Sequence, residues 1–270
     1  MTTPAFLYEK RDGIAYLTFN RPEKRNAISP EVICRLADAW QDYAVDDSLR
    51  VAIITGAGDK AFCAGADLGR LTPLFSGARQ PEDEWDRRLL ANPQLGQIAT
   101  LRGFPLYKPI IAAINGFCLA GGAELIQATD IRIAVEQATF ALTEVKWSLM
   151  PYAGSMVRLP RQIAFCKAME IMLVGDTFSA QEAYRIGLIN YVVPPEQLMA
   201  KAEELAHKIA ENGPVAIRKL KETVIRALSM SLDDGFRLEN EAAHDVLATE
   251  DAKEGPRAFM EKRKPRYIGR

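Results

Sequence analysis

The stretch "NGFCLAGGAEL", residues 115–125, places two glycines at the entrance to an apolar segment that carries one glutamate, Glu124. Glycine weakens a helix interior by about 1 kcal/mol relative to alanine, so Gly121 and Gly122 indicate a helix that begins after a tight turn. A helix N-terminus presents unpaired backbone N–H groups and the positive end of the helix dipole. We therefore expect the backbone of this turn to face a group that carries negative charge.

A second segment, "FCAGADL" at 62–68, has the same arrangement of small residues followed by an acid. Each segment comes after a predicted strand, one starting at Val51 and the other at Ile110. Two such turns side by side would offer two N–H groups to one oxygen that gains negative charge, which is an oxyanion hole. Glycine clusters also allow a helix to pack closely on a strand, and the sequence leaves this alternative open.

Composition and charge exclude several classes of protein. The chain has 270 residues, of which 48% are hydrophobic and 26% charged, as in ordinary globular proteins. Its net charge of −1 predicts no attraction to nucleic acid or to an anionic membrane. The longest apolar run, "IIAAI" from Ile110, is too short to span a bilayer, and the N-terminus lacks a signal-peptide pattern, so a cytoplasmic protein is expected. The scattered cysteines are expected to be reduced core residues: Cys34, Cys63, Cys118 and Cys166.

The fold class follows from the alternation of strands and helices. "GIAYLTFN" predicts a strand, and Ser29 with Pro30 predicts the start of a helix that runs to about Ala44. "RVAIITG", "KPIIAAING" and "DIRIAVE" are apolar on both faces, which is typical of parallel strands in an α/β protein. Beyond about Gly154 helical patterns dominate. We therefore predict an α/β core with the active site over residues 1–195 and a C-terminal helical region over 196–270.

Several common chemistries have no support in the sequence. His207 and His244 are the only histidines, and neither has a partner at metal-ligand spacing, which argues against a zinc site or a Ser-His-Asp triad. "GAGDKAFCAGADL" lacks the third glycine of a dinucleotide-binding loop, and no phosphate-binding P-loop occurs. No metal is expected. The remaining candidates for a catalytic role are acidic side chains and the backbone groups of the glycine-containing turns.

The order and spacing of several motifs resemble the crotonase (enoyl-CoA hydratase/isomerase) superfamily. The motifs are "NRPEKRNAIS", "AFCAGADL", "KPIIAAINGFCLAGGAEL", "ATDIRIA" and "TFALTEVKWSLMP", and the resemblance runs roughly from Gly13 to Arg266. It implies a crotonase-like spiral of ββα units followed by helices that make trimer contacts. It also implies a homotrimer or hexamer, an acyl-CoA thioester as substrate, and no cofactor apart from the CoA of that substrate.

The resemblance assigns roles to four residues. The thioester carbonyl oxygen would be held by the backbone N–H groups of Ala66 and Gly121. In the hydratases of the superfamily, two glutamates hold a water molecule and move protons at C2 and C3, and their positions match Glu124 and Glu144. Because two carboxylates at one small site do not both ionise easily, we expect one pKa to rise toward neutrality.

The resemblance also implies residues that bind CoA. Basic residues beside the diphosphate are physically reasonable, since they would neutralise its charge. Two residues near the C-terminus match positions that approach the CoA of a neighbouring subunit. The positions on the CoA-binding loops are Lys24, Arg25, Ala27, Ala64, Asp67 and Leu68, and the two near the C-terminus are Phe259 and Lys262.

The sequence departs from the superfamily pattern just after Glu144. Ser148, Tyr152 and Ser155 stand where glycines are common, and Trp147 is also bulky. We expect the two aromatic side chains to narrow or reshape the acyl pocket.

Three functions are consistent with the sequence. The leading hypothesis is an enoyl-CoA hydratase, because both glutamates are present. The second is an isomerase or a hydrolase acting on CoA thioesters, which would depend mainly on Glu144. The third is a non-catalytic member of the fold that binds CoA or RNA. The net charge of −1 argues against RNA binding, although "KRKPRYIGR" at the C-terminus forms a small basic tail.

Overall fold

A computed structural model describes residues 3–270 of the chain. Ten strands within this range form two sheets. The strands are β1 (Phe6–Arg11), β2 (Ile14–Phe19), β3 (Val51–Gly56), β4 (Ala61–Cys63), β5 (Ile110–Ile114), β6 (Phe117–Leu119), β7 (Ile131–Val135), β8 (Thr139–Ala141), β9 (Phe178–Ser179) and β10 (Tyr191–Val193).

Twelve α-helices lie within the same range, together with three short 3₁₀ turns. The helices are α1 (Pro30–Val45), α2 (Leu71–Phe75), α3 (Glu84–Ala91), α4 (Gln94–Ala99), α5 (Gly121–Ile126), α6 (Ser155–Gln162), α7 (Phe165–Val174), α8 (Ala180–Arg185), α9 (Leu198–Ala210), α10 (Pro214–Ala227), α11 (Leu232–Leu247) and α12 (Glu250–Met260).

Successive pairs of strands build the two sheets. The larger sheet has the order β1-β2-β3-β5-β7-β10, and the smaller has the order β4-β6-β8-β9. Each pair β3/β4, β5/β6 and β7/β8 sends its first strand to the larger sheet and its second to the smaller one. The neighbours β2, β3, β5, β7 and β10 pair in parallel. This arrangement confirms the predicted α/β spiral of ββα units.

The predicted strands and the first helix form as the sequence indicates. The Ser29 side chain accepts a hydrogen bond from the Val32 N–H, which caps α1. The apolar face of α1 buries Trp40 and Tyr43, whose polar tips donate to the backbone carbonyls of Ala99 (3.2 Å) and Pro109 (2.7 Å). Buried polar groups that are hydrogen-bonded avoid a desolvation cost of about 1–3 kcal/mol. Residues 110–114 are entirely buried, as expected for a central parallel strand.

The strands β9 and β10 lie beyond Gly154, where the sequence showed mainly helical patterns. They contain only two and three residues, so neither is long enough to reveal an alternating pattern. Their neighbours in the sheets, β8 and β7, supply the backbone hydrogen bonds that define them. Pairing with β8 and β7 in the folded protein, and not the local sequence, therefore determines that β9 and β10 form strands.

The irregular segment between Leu71 and Phe104 folds into α2, α3 and α4. Its organising residue is Asp86, which is completely buried and pairs with Arg79 at 2.5 Å and Arg70 at 3.1 Å. The hydrogen bond from Arg79 holds the pKa of Asp86 well below its usual range, although burial opposes that shift. The buried carboxylate is therefore charged and fixes the segment that precedes β5.

The C-terminal helices differ in how they pack. Helix α9 lies against β3, β5 and β7 and buries Leu198, Ala202 and Ala206. Helices α10 and α11 pack on each other, yet neither contains a buried residue in the single chain. Apolar side chains remain exposed on this pair: Leu220, Val224, Ile225, Leu228, Leu232, Phe236 and Leu247. The division of the chain at residue 195 stays a prediction.

The cysteine prediction is correct for three residues and wrong for one. Cys34, Cys63 and Cys118 are free and buried, whereas Cys166 is free but exposed near the start of α7. The exposed face of α7 explains the difference, because helix position and not residue type decides the burial of Cys166. Within residues 3–270, no helix has the length and apolar character needed to cross a bilayer.

Candidate active site

Three parallel strands of the smaller sheet end at one edge of the molecule. Strand β6 lies between β4 and β8, with Cys118 beside Cys63 and Leu119 beside Ala141. Ala66 follows β4 shortly after its end, Gly121 follows β6, and Glu144 follows β8. The carboxyl ends of neighbouring parallel strands lie at the same edge of a sheet, so the topology itself gathers these three positions.

The backbone groups of Ala66 and Gly121 lie next to each other. A Cβ placed on Gly121 would be 4.0 Å from the Ala66 nitrogen and 3.9 Å from the Gly65 Cα. A Cβ placed on Gly65 would in turn be 3.4 Å from the Gly121 nitrogen. The structure thus brings together the two predicted donor positions.

Neither of these N–H groups donates a hydrogen bond to another residue of the described range 3–270. The chain around Ala66 pairs with Ile28 through hydrogen bonds from Ile28 N–H to the Gly65 carbonyl and from Asp67 N–H to the Ile28 carbonyl, which leaves Ala66 N–H out. Gly121 is the first residue of α5, so its N–H lacks an intrahelical acceptor. In the described part of the chain no acceptor takes a hydrogen bond from either group. Two adjacent, unpaired donors are what an oxyanion hole requires.

The glycines at 121 and 122 have different surroundings. A Cβ on Gly122 would lie 2.5 Å from the Cys63 carbonyl oxygen, so this glycine allows α5 to pack against β4. A Cβ on Gly121 would instead meet the Ile28 side chain at 3.3 Å and stand beside the two donors. Ala120 just before them has φ +48°, a conformation that costs a non-glycine residue about 1–3 kcal/mol. Close packing therefore explains Gly122, and access to the backbone explains Gly121.

Glu124 lies one turn into α5 and is only 3% exposed. Its Oε1 accepts a hydrogen bond from the Ser155 N–H at 3.2 Å. The pKa of Glu124 is raised from 4.5 to about 7: burial is the main cause, the nearby charge of Glu144 adds to the rise, and the hydrogen bond from the Ser155 N–H opposes it. A carboxyl group with a pKa near neutrality can both accept and release a proton at physiological pH.

Glu144 faces Glu124 from the start of the 3₁₀ turn Glu144–Trp147. Burial raises the pKa of Glu144, while a backbone N–H and, to a smaller extent, the neighbouring Glu124 carboxyl group oppose that rise. Its Oε2 is buried, and no group within residues 3–270 forms a hydrogen bond with it. The two carboxyl groups therefore form a coupled pair, and one oxygen of the pair is free to bind a further molecule.

The predicted CoA-binding loops lie against each other. The Ala64 N–H donates to the Arg25 carbonyl at 3.0 Å, and Arg21 pairs with Asp67 at 2.9 Å. Asn26, a buried residue that sequence analysis missed, has φ +57° and donates to the Ala61 carbonyl at 2.7 Å. An asparagine in a left-handed turn is a recognisable signal, since asparagine tolerates that conformation better than most residues.

The remaining CoA candidates fall into two groups. The side chains of Lys24, Arg25 and Leu68 are exposed on these loops, and Ala27 is half-buried between them. Phe259 and Lys262 lie at the end of α12, and no hydrogen bond or ion pair among the described residues joins them to the loops. Phe259 is 81% exposed, and its contact with the CoA of a neighbouring subunit stays a prediction.

The departures after Glu144 have unequal consequences. Ser148 adopts φ +57°, the conformation for which glycine is favoured. Trp147 and Tyr152 are 67% and 66% exposed, so in the single chain they project to the surface and are not buried beside Glu144. Ser155 is completely buried and contacts Glu124, a role that the sequence did not predict.

The ββα spiral, which places two adjacent backbone N–H groups after β4 and β6, is the fold of the crotonase class of proteins. The sequence profile described as enoyl-CoA hydratase/isomerase matches residues 9–270, and the chain belongs to this family. It is 40% identical to the enoyl-CoA hydratase EchA19 of Mycobacterium tuberculosis over 99% of this chain and 97% of that protein. It is 35% identical to a crotonyl-CoA hydratase of Syntrophomonas wolfei, covering 98% of both chains.

A solved structure of an enoyl-CoA hydratase from Bacillus anthracis has a similar fold. Its TM-score is 0.88 at 37% sequence identity, and the match covers 98% of this chain and 100% of that chain. The agreement extends over the C-terminal helices as well as the spiral core.

Proposed function

We propose that the protein is an enoyl-CoA hydratase, which adds water across the 2,3 double bond of an enoyl-CoA thioester in fatty-acid or related acyl-CoA metabolism. The observation that carries the proposal is the placement of two coupled carboxyl groups, the buried Glu124 and the half-buried Glu144, near two unpaired backbone donors. The family and the names of the relatives support the same reaction.

The proposed reaction uses each of these groups once. The thioester carbonyl oxygen accepts hydrogen bonds from the N–H groups of Ala66 and Gly121. Water bound by the carboxyl pair forms a bond to C3 and gives a proton to the ionised carboxylate. The π electrons move to the carbonyl oxygen as an enolate, and the enolate collapses as the protonated carboxyl group gives its proton to C2. At the end of the reaction the carboxyl group that was ionised is protonated and the other is ionised, and one water molecule has been added to the double bond.

The expected magnitudes are large enough for catalysis. One oxyanion-hole donor contributes about 3 kcal/mol of transition-state stabilisation in other enzymes. General acid–base groups contribute roughly 10²–10⁴-fold in rate. Because the pKa of Glu124 is about 7, this carboxyl group is available in both its protonated and its ionised form near neutral pH.

CoA would lie along the loops at 24–27 and 64–68. The exposed Lys24 and Arg25 are suited to the phosphates, since both are free of ion pairs with acidic residues in the described chain. Asp67 pairs with Arg21, so Asp67 stabilises the loop, and the neighbouring residues make the contacts with CoA.

We also propose that the functional unit is a homotrimer or a dimer of trimers. The exposed apolar side chains of α10 and α11 support contact with further copies, because a single chain leaves both helices without a buried residue. Phe259 and Lys262 would then reach the CoA of a neighbour. Sedimentation at micromolar concentration should give a multiple of 29.9 kDa, and a stable monomer would contradict this assembly.

The reaction is tested with crotonyl-CoA and longer 2-enoyl-CoA thioesters in ¹⁸O-labelled water. A hydratase places the label on C3 of the 3-hydroxyacyl product. An isomerase would instead shift the double bond of a 3-enoyl-CoA without incorporating label. A hydrolase would release free CoA, which a thiol reagent detects. Either of the last two results, without label at C3, would overturn the proposed reaction.

A further inference from the structure

The basic tail, residues 262–270, folds back along α12. The chain reverses at Lys262, which has φ +53° and whose N–H donates to the Phe259 carbonyl at 3.1 Å. The next N–H, of Arg263, donates to the Ala258 carbonyl at 3.0 Å. This is the Schellman arrangement that ends many helices, but its left-handed position usually holds glycine. Because a side chain disfavours this conformation, contacts further along the tail are needed to hold the reversal.

The first of these contacts is made by Glu254, in the middle of α12. Its side chain is buried and accepts hydrogen bonds from the Arg263 guanidinium at 2.6 and 3.0 Å and from the Arg266 N–H at 2.9 Å. Arg257, on the same helix, pairs with it at 2.5 Å. The hydrogen bonds from Arg263 and Arg257 hold the pKa of Glu254 well below its usual range. The carboxylate is therefore charged, and it fixes the tail just after the reversal.

The second contact is made by Asp251, one turn earlier on α12. Its side chain is buried, and its two oxygens accept hydrogen bonds from the N–H groups of Ile268 at 2.7 Å and Gly269 at 2.8 Å. In return, the N–H groups of Glu250 and Asp251 donate to the Arg270 carbonyl at 2.8 and 3.3 Å. These two groups belong to the first turn of α12, where the helix itself supplies no acceptors. The tail and the start of the helix thus satisfy each other.

Tyr267 packs between these two contacts. A Cβ on Gly255, in α12, would lie 3.0 Å from Tyr267 Oη, so glycine makes room for the ring. A Cβ on Gly213, just before α10, would lie 3.9 Å from the same ring. The tail therefore ties α12 to the start of α10.

The fastened tail leaves two side chains at the end of α12 free of contacts with it. Phe259 is 81% exposed, and Lys262 is exposed at the reversal. The neighbouring cations, Arg263 and Lys264, pair with acidic side chains of the same chain. The arrangement presents one aromatic ring and one ammonium group outward in a fixed direction.

We propose that Asp251 and Glu254 are positioning residues. By fastening the basic tail onto α12, they direct Phe259 and Lys262 toward the CoA of a neighbouring subunit. The inference rests on the proposed function for the identity of that ligand. It gives the basic tail a role in holding CoA, in place of the binding of nucleic acid.

The kinetic test compares Glu254→Gln and Asp251→Asn with the parent protein on two substrates. One is crotonyl-CoA, and the other is crotonyl-N-acetylcysteamine, a thioester that lacks the nucleotide. The KM for crotonyl-CoA should rise about tenfold with kcat within about twofold of the parent, because a contact made equally in the ground state and the transition state is lost. The KM for the short thioester should not change. An equal rise for both thioesters would show a general disturbance of the fold and overturn the proposal.

The matched control is Glu250→Gln. Glu250 lies on the same helix, one turn before Glu254, but its side chain is 63% exposed and pairs only with Lys253. Both KM values should stay as in the parent. Arg263→Gln removes the ion pair with Glu254 from the side of the tail and leaves the contacts of Asp251 in place. It should raise the KM for crotonyl-CoA in the same way, and it carries the test if Glu254→Gln does not fold.

An equilibrium measurement separates this inference from the proposed reaction. Calorimetry with free CoA should give a Kd about tenfold higher in Glu254→Gln than in the parent, and amide exchange at Ile268 and Gly269 should be faster. Faster exchange with unchanged affinity for CoA would overturn the positioning role, as would dissociation of the variant into monomers during sedimentation. Weakened CoA binding in a protein that does not hydrate crotonyl-CoA would overturn the proposed reaction and leave the positioning role standing.

Discussion

The turn after β4 and the turn after β6 are alike in sequence and different in what they do with their acids. Both are short, built from alanine and glycine, and adjacent through the pairing of their strands. In the first, Asp67 lies on a loop and is neutralised by Arg21 at 2.9 Å. In the second, Glu124 lies in a helix, is 3% exposed, and has no ion-pair partner among the described residues.

The difference originates in the segment that each strand leads into. After β4 the chain continues as a loop that bridges to Ile28, which leaves the acid near the surface and within reach of an arginine. After β6 the chain enters α5, which carries the acid into the interior. Burial without a compensating cation raises a carboxyl pKa, and groups shifted in this way are characteristic of functional sites. We infer that the acid after β4 supports the structure and the acid after β6 serves the chemistry.

Removing the two coupled carboxylates should give the largest effect. Glu124→Gln and Glu144→Gln keep the shape of each side chain and cannot exchange the proton, so each should lower kcat by about 10²–10⁴-fold. The double variant should be little worse than either single one, because residues that act as a unit are not additive. Additive losses, or an active Glu124→Gln variant, would show that the pair does not act on one water.

Glu124→Gln should also show how the buried carboxyl group affects the stability of the folded protein. Because the pKa of Glu124 is raised from 4.5 to about 7, the folded protein binds its proton more tightly than the unfolded chain. Its contribution to stability is thus lost as the pH rises through this range. Denaturation curves should show Glu124→Gln gaining stability relative to the parent between about pH 4.5 and pH 7. A difference that is constant with pH would mean that the carboxyl group is not shifted.

Gly121→Val should give the second largest effect. A branched side chain would press on Ile28, which lies only 3.3 Å from the position that a Cβ would take, and would displace the donor beside Ala66. Loss of one donor should lower kcat by about 10²–10³-fold with little change in the melting temperature. Gly96→Val in α4 is the control, since nothing lies within 4 Å of its Cβ position. Equal activity of both variants would contradict an oxyanion hole at this turn.

Gly122→Ala should affect stability more than chemistry. Its Cβ would lie 2.5 Å from the Cys63 carbonyl oxygen, a backbone atom that cannot move aside easily. Overpacking of this kind should lower the free energy of unfolding by about 1–3 kcal/mol, measured by urea denaturation. Gly96→Ala, in open space on a helix, should be neutral or slightly stabilising. If Gly122→Ala were as harmless as the control, close packing would not explain this glycine.

The sequence predicted the backbone of the site better than its side-chain environment. Small residues with fixed spacing predicted the two turns, because the backbone conformation at a turn is a local property, and the resemblance to the crotonase superfamily then assigned the donor positions to Ala66 and Gly121. The role of Ser155 depends on α6 lying against α5, a tertiary contact that no local pattern encodes. Asn26 shows an intermediate case, since its residue type indicates a left-handed turn but its buried hydrogen bonds depend on the loop before β4.

The smallest effect is expected for Asp67→Asn. This variant tests the comparison of the two turns at the acid that follows β4. The side chains of Asp67 and Arg21 are 19% and 16% exposed, so solvent screens the pair only in part. Loss of the charge should destabilise the protein by about 1 kcal/mol, and Arg21→Gln should add little to Asp67→Asn in a double variant. The value of kcat should stay within about threefold of the parent, because Asp67 lies outside the carboxyl pair. A loss of kcat as large as that of Glu124→Gln would show that both turns supply acids to the reaction, and the distinction drawn between them would fail.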